Sequence, residues 1–358
     1  MQSNITYREK DGAIQAIISY KDRYGKWRQR SAQGFQRKKD AKAAAEKIVA
    51  ELKKTQELQL SEEYDGISFA DFKEMFLEHL AIYKEHNTVE AYKSAFKKFS
   101  SLENKELSKI TSVQIQRCID AMVKSGLSAH TVQEYTAKTK KLFSTAVEPY
   151  KIIAHNPAEG AVVPENKQTN EIKALTKTDL DRLISTLAQP DKKVSTLLAA
   201  KCGLRLGEIL GLTWDDIDHI NKTVRVNKQW KKRKDGSWGF GPVKRINSNR
   251  SVPMPEAVIK ELSLYKKIMP ASIDGRIITH GNTKVYGNLL IKYYKARGFD
   301  ISAHDLRHTY ASMLIGAGVD FRTAAQLLGH TVEMTMKRYS HVTDDMTTRA
   351  GKLIDSIF

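Results

Sequence analysis

The period of apolar and polar positions changes along the chain, and the changes mark three regions. In residues 1–60, Ile14, Ala16 and Ile18 alternate with other residues, as in a strand with one covered face. Asp22–Lys26 (DRYGK) reads as a turn and Trp27–Phe35 (WRQRSAQGF) as a second strand. Lys38–Lys54, rich in Ala, Lys and Glu, predicts an amphipathic helix, so a small sheet backed by one helix is expected. A polar connector over Gln56–Gly66 leads to residues 67–162, which read as all-helical. There Thr88 is a good N-cap for a helix carrying Val89, Tyr92, Phe96 and Phe99. After the break at Gly126, Ser128 is placed to cap a second helix over Ala129–Glu148. Val162–Lys173 is polar and contains Pro164, the mark of an interdomain linker. Residues 174–358 mix helices with a short sheet, for which Thr223–Trp230 and Arg250–Pro255 are the strand candidates. The predicted class is multidomain α+β, mainly helical in its last part with a small antiparallel sheet.

Charge sharpens this picture. The 358 residues carry 59 Lys+Arg against 41 Asp+Glu, a formal net charge of +18. Such an excess points to a polyanionic partner, nucleic acid before membrane surface. Arg23, Lys26, Arg28 and Arg30 crowd the first hairpin, either as solvated strand faces or as a strand face entering a DNA groove. Lys138, Lys140 and Lys141 give the Ala129–Glu148 helix a basic face, either plain surface or a phosphate contact. Lys231 to Lys234, Lys244 and Arg245 make the segment between the two strand candidates strongly basic. No apolar run approaches the ~18–20 residues of a membrane-spanning helix, and the N-terminus lacks an apolar signal region. Only Cys118 and Cys202 are present, which fits a reducing cytoplasm rather than a disulfide scaffold. Neither a Walker A loop, a dinucleotide fingerprint nor paired CxxC occurs, so no cofactor is expected.

Four patterns in the third region can carry chemistry. In Cys202–Leu212 (CGLRLGEILGL), Gly203 resembles a helix stop, and Arg205 then opens a short helix or pairs with Glu208. In the helix opened by Ser302 and Asp305, His304 and Arg307 share a face; His304 and His308 also stand i, i+4, but a metal reading lacks the zincin glutamate and a third ligand. Ala324–His330 (AAQLLGH) ends in a C′ glycine, with His330 just past it and Tyr339 nine residues later. Lys244 precedes a strand in the basic hairpin.

Taken in order, GLRLGE, the hairpin Lys244 with Ser248 and Arg250, HDLR, LLGH and Tyr339 resemble the tyrosine recombinases, or phage-type integrases. Residues 67–162 resemble that family's helical core-binding domain. Residues 1–60 resemble the three-stranded arm-type DNA-binding domain of integrases from phages and conjugative elements. The resemblance implies a metal-free DNA breakage and rejoining reaction, with Tyr339 as nucleophile forming a 3′-phosphotyrosine link. It implies that Arg205 and Arg307 clamp the non-bridging oxygens, Lys244 protonates the leaving 5′-oxygen, His304 assists Tyr339 as base and His330 supports the phosphate. Arg205, Arg307 and the other basic groups are then expected to favour the tyrosinate form of Tyr339. The implied partners are double-stranded DNA at core-type and arm-type sites, a homotetramer on DNA and an excisionase or DNA-bending helper. The apolar end, Leu353, Ile354, Ile357 and Phe358, either packs on its own domain or is exchanged with a neighbouring protomer. A catalytically silent DNA-binding regulator and a resolvase are the alternatives.

Overall fold

The computed structural model describes residues 2–10, 12–21, 27–57, 63–165, 173–243, 249–270, 272–339 and 354. The chain divides into two compact units, Met1–Lys167 and Gln168–Phe358.

The first unit opens with an antiparallel sheet in the order β1 (Ser3–Lys10), β2 (Ala13–Lys21), β3 (Trp27–Phe35). Helix α1 (Lys38–Glu57) covers one face. Ala16 and Ile18 of β2 are fully buried against Ala41 and Ala45 of α1, which is why the alternation was visible in the sequence. The helices α2 (Phe69–Tyr83), α3 (His86–Phe96), α4 (Ser112–Lys124) and α5 (Ala129–Val147) follow. Phe69, Phe72, Phe96, Phe99 and Phe143 form the centre of their core. Ser128 caps α5 by accepting from the Thr131 amide, as expected. Thr88 is not the cap of α3. That helix starts two residues earlier at His86, with extended Glu85 as its N-cap, so Thr88 lies in the first turn.

The second unit contains α6 (Lys177–Ser185), α7 (Pro190–Cys202), α8 (Leu206–Gly211), β4 (Ile217–Asp218), β5 (Thr223–Val226), β6 (Lys228–Lys232), β7 (Trp238–Pro242) and β8 (Arg250–Pro253). Helices α9 (Glu256–Ile268), α10 (Thr283–Lys295), α11 (Ala303–Gly316), α12 (Phe321–Leu328) and α13 (Val332–Tyr339) complete it. The stretch Thr223–Trp230, expected as one strand, breaks at Asn227. β5 joins a sheet of order β4-β5-β8, whereas β6 pairs with β7 in a separate hairpin. One large core links α7, α9, α10 and the β4-β5-β8 sheet; a second, smaller cluster joins Tyr310, Ala311 and Ile315 of α11 to Ala324, Leu328 and Tyr339. Among the described residues no helix is long and apolar enough to cross a membrane.

Candidate active site

The site is assembled where α7, α8, α11 and α12 converge. Gly203 ends α7 in the left-handed conformation, at φ 65°. A Cβ here would lie 2.4 Å from the Tyr310 ring of α11, so only glycine lets the two segments approach this closely. The reversal leaves Arg205 extended, as the N-cap of α8. Ser302 and Asp305 cap α11 reciprocally, the Ser302 amide donating to Asp305 at 2.8 Å, and this sets the start of the helix that carries Arg307.

Three guanidiniums meet at the C-terminus of α12. Arg250 Nε donates to the Leu327 carbonyl at 2.7 Å, Arg307 donates to the Leu328 carbonyl, and Arg205 donates to the Gly329 carbonyl at 3.1 Å. A helix leaves its last carbonyls without intrahelical partners and carries a partial negative charge at that end. Gly329, left-handed at φ 61°, turns the chain so that these carbonyls stay accessible. On the other side stands Glu208, 2% exposed. It accepts from the Arg205 amide at 2.9 Å, from Arg205 Nη1 at 2.7 Å and from Arg250 Nη2 at 2.9 Å, and lies 3.8 Å from Arg307. Burial alone pushes the Glu208 carboxyl up, but Arg250, Arg307 and Arg205 outweigh it and hold its pKa down at about 2. Among the described residues this group sets three guanidiniums against one carboxylate.

Arg307, 1% exposed, also donates to the Gly203 carbonyl and to His330 Nε2, the latter at 2.9 Å. Burial and the neighbouring Arg205 lower its pKa, though it remains protonated at neutral pH. Because a guanidinium only donates, Nε2 of His330 accepts and Nδ1 carries the ring proton. Burial and Arg307 keep His330 neutral, with a pKa lowered to about 3. Among the described residues, Nδ1 of His330 and Nε of Arg307 are buried without a hydrogen-bond partner. Unmatched buried donors are costly, and two beside a surplus of positive charge form a receptor for an anion.

Tyr339 is completely buried in the α11–α12 cluster. Its hydroxyl lies 2.5 Å from Nδ1 of His308. His304, which the family resemblance implies as the base for Tyr339, is exposed one turn earlier, its ring centroid 4.4 Å from that of His308. Basic neighbours do act on Tyr339 in the direction of the tyrosinate, but burial acts against them. Burial raises the Tyr339 pKa to about 12 against the lowering influence of Arg307 and Arg338, so the phenol is neutral.

Of the residues singled out in the sequence, Arg205, Arg307, His330 and Glu208 are thus brought together. Lys244, Arg245, Arg23 and Lys26 lie outside the described residues, as do Leu353, Ile357 and Phe358 of the tail. Arg28 and Arg30 are paired by register with Tyr20 and Ile18, which places them on the α1 side of the sheet; Arg30 forms an ion pair with Asp65. The other sheet face is mostly polar, with Asn4, Thr6, Gln15, Ser19, Gln29 and Ser31 around Ile17, and with Arg8 donating to Gln15 at 2.8 Å. On α5 the lysines do not share one face. Lys138 pairs with Glu134 at 2.5 Å and Lys140 with Glu159 at 2.7 Å, about 200° apart around the helix, and Lys141 is exposed. His308 and the hub formed by Arg250 were not assigned roles from the sequence. The only local signal for His308 was its i, i+4 spacing from His304.

Residues 170–346 match the family model of the phage integrase family, residues 4–52 that of an arm DNA-binding domain, and residues 74–148 that of a phage integrase N-terminal SAM-like domain. The chain is 29% identical over 362 residues to a tyrosine recombinase XerC-like protein of Caldanaerobacter subterraneus subsp. tengcongensis, covering 90% of each. It is 27% identical over 273 residues to the ICEBs1 integrase of Bacillus subtilis, covering 70% of this chain and 72% of that one. A solved structure of the Tn1549 transposon integrase with a circular intermediate DNA is similar in fold, with a TM-score of 0.67 at 20% identity over 80% of this chain and 99% of that one. A lambda integrase dimer bound to a core site gives a TM-score of 0.58 at 18% identity, over 96% and 95%.

Proposed function

The chain belongs to the phage integrase family of tyrosine recombinases, and from that premise we propose that it integrates and excises a mobile genetic element by cutting and rejoining double-stranded DNA. The observation that carries this reading is the arginine cluster. Its guanidiniums are held by Glu208 and three consecutive carbonyls, and among the described residues the group sets three guanidiniums against one carboxylate and leaves two buried donors unmatched. A phosphodiester supplies the missing charge and acceptors.

In the first step, the Tyr339 oxygen bonds to phosphorus as the bond to the 5′-oxygen breaks. The phenolic proton is lost, the 5′-oxygen gains a proton, and the 3′-phosphate stays linked to tyrosine. In the second, a 5′-hydroxyl from another strand reverses these changes. One phosphoester is exchanged for another in each step, so no nucleotide need be consumed. Arg205 and Arg307 hold the non-bridging oxygens, for which a planar fork is better suited than an ammonium. The Nδ1–H of His330 donates to the same group. His304, on the exposed side of His308, assists Tyr339 as a base, and Lys244 protonates the leaving oxygen; the family resemblance supports these last two roles.

The helical part of the first unit and the second unit bind core-type DNA, with Lys138, Lys140, Lys141 and Arg245 as phosphate contacts. The three-stranded sheet binds arm-type DNA. Its polar face, which carries Arg8 beside Gln15, offers hydrogen bonds to base edges and a charge for phosphates, with Arg23, Lys26, Arg28 and Arg30 as further DNA contacts. The active assembly is a tetramer on DNA in the bacterial cytoplasm, with exchange of the C-terminal tail and help from an excisionase or DNA-bending protein. The test is a nicked suicide duplex incubated with the protein, without metal or nucleotide. A covalent protein–DNA band is expected on a denaturing gel; no band from a protein that binds the duplex overturns the reading. Deleting residues 1–60 is expected to spare this cleavage and abolish bridging between two DNA sites.

A further inference from the structure

His308 follows Arg307 in α11 and touches the atom on which the proposed reaction turns. Its Nδ1 lies 2.5 Å from the Tyr339 hydroxyl across 31 residues of chain, and the two rings are 5.8 Å apart at 57°. Both side chains are buried, His308 at 8% exposure and Tyr339 at 0%. Tyr310, Leu328 and Ala324 pack in the same cluster as Tyr339, so the phenol is held on its apolar sides and has this one polar contact among the described residues. One hydrogen lies between the two atoms. A phenol is the stronger acid of the pair and an imidazole nitrogen the stronger base, so the hydroxyl donates, Nδ1 accepts and Nε2 carries the ring proton.

We propose that His308 orients the Tyr339 hydroxyl for attack by accepting its hydrogen bond at Nδ1, acting as an acceptor rather than as the base. This rests on the recombinase reading of Tyr339. The geometry fixes the direction of the O–H bond and therefore of the oxygen lone pairs, which removes a rotational search from the chemical step. The groups around His308 argue against a base. Burial, His304 and Arg338 lower the pKa of its imidazole to about 4, with Asp305 opposing and Arg307 adding to the lowering. Burial raises the phenol's pKa as it lowers that of the imidazole, so the proton is held by tyrosine. His304, more exposed on the same face, is left for proton transfer.

The experiment is single-turnover cleavage of a nicked suicide duplex at saturating full-length protein, with DNA affinity and thermal melting measured alongside. His308→Ala is expected to slow formation of the covalent complex about 10- to 100-fold at unchanged DNA affinity. His308→Asn, whose amide oxygen reaches the position of Nδ1, is expected to recover most of the rate although it cannot act as a base. His308→Gln, whose amide reaches instead toward Nε2, is expected to stay slow. Should His308→Ala not fold, the Asn and Gln variants decide the matter: Asn faster than Gln upholds the proposal, and equal rates overturn it. His308→Ala as fast as wild type or faster, or Asn as slow as Ala, also overturns it. Failure of the wild-type protein to form any complex instead refutes the recombinase reading itself.

Discussion

Replacing Glu208 by glutamine keeps the shape of the side chain and removes the one carboxylate that the three guanidiniums share. The consequence can be worked from its ionisation. In the fold its pKa lies at about 2 rather than 4.5, because Arg250, Arg307 and Arg205 overcome the cost of burial. At about 1.4 kcal/mol per pH unit, that difference corresponds to about 3 kcal/mol of stability at neutral pH. Breaking one side of a buried ion pair costs a similar ~3–5 kcal/mol, since the remaining charges are left unpaired. For a unit the size of Gln168–Phe358, a loss of 3 kcal/mol lowers the melting temperature by roughly 6–12 °C. The assay is calorimetric melting of wild type and Glu208→Gln across pH. A depressed folded-state pKa gives stability that is fully present above the unfolded value and lost as pH falls through the folded value. The gap between the two proteins is therefore expected to be constant from pH 6 to 9 and to shrink below pH 4.5 toward pH 2. A variant as stable as wild type at pH 7, or a gap that widens on acidification, refutes the reasoning.

Other outcomes follow from the same geometry. Gly203→Ala must accept φ 65° and place a methyl 2.4 Å from the Tyr310 ring, so it is expected to cost at least about 2 kcal/mol in urea unfolding. Arg205→Lys and Arg307→Lys are expected to bind DNA within a few-fold of wild type but to cleave roughly 10²- to 10³-fold more slowly in single turnover. His308 and His330, held neutral by burial with pKa values near 4 and 3, contribute stability that is present above their ordinary 6.5 and lost as pH falls through those values. Urea unfolding of the full chain is therefore expected to weaken from pH 6.5 to 4, and His330→Asn to flatten that slope. DNA affinity is expected to fall linearly on a log–log plot against salt, which a filter-binding titration checks.

Most of the framework was legible in the sequence because local physics dominates there. Strand β3 and the start of α1 appear where the pattern placed them, and Gly203, Gly329, Ser128 and Ser302 act as stops and caps through contacts within a few residues. Thr88 misled because a good capping residue also fits inside a first turn, and extended Glu85 took the cap. Thr223–Trp230 misled because β-rich composition does not reveal which partner each half will pair with. β1 has little apolar alternation of its own, and its place was implied by resemblance rather than by pattern. The site divides in the same way. The order of the Arg205, Arg307, His330 and Tyr339 boxes was readable. The convergence of Arg250, Arg307 and Arg205 on carbonyls 327, 328 and 329 was not, because backbone acceptors carry no residue signature. His308 was hidden for a related reason: its partner is 31 residues away, and facing directions across that distance are set by how α11 and α13 pack.

The central claim is that Tyr339 becomes covalently joined to DNA. Trapping the complex on a nicked suicide duplex, digesting it with nuclease and protease, and identifying the modified peptide by mass spectrometry tests this directly. The account predicts a nucleotide joined through its 3′-phosphate to the peptide containing Tyr339, with none formed by Tyr339→Phe. An adduct on any other residue, or one that persists in Tyr339→Phe, contradicts it.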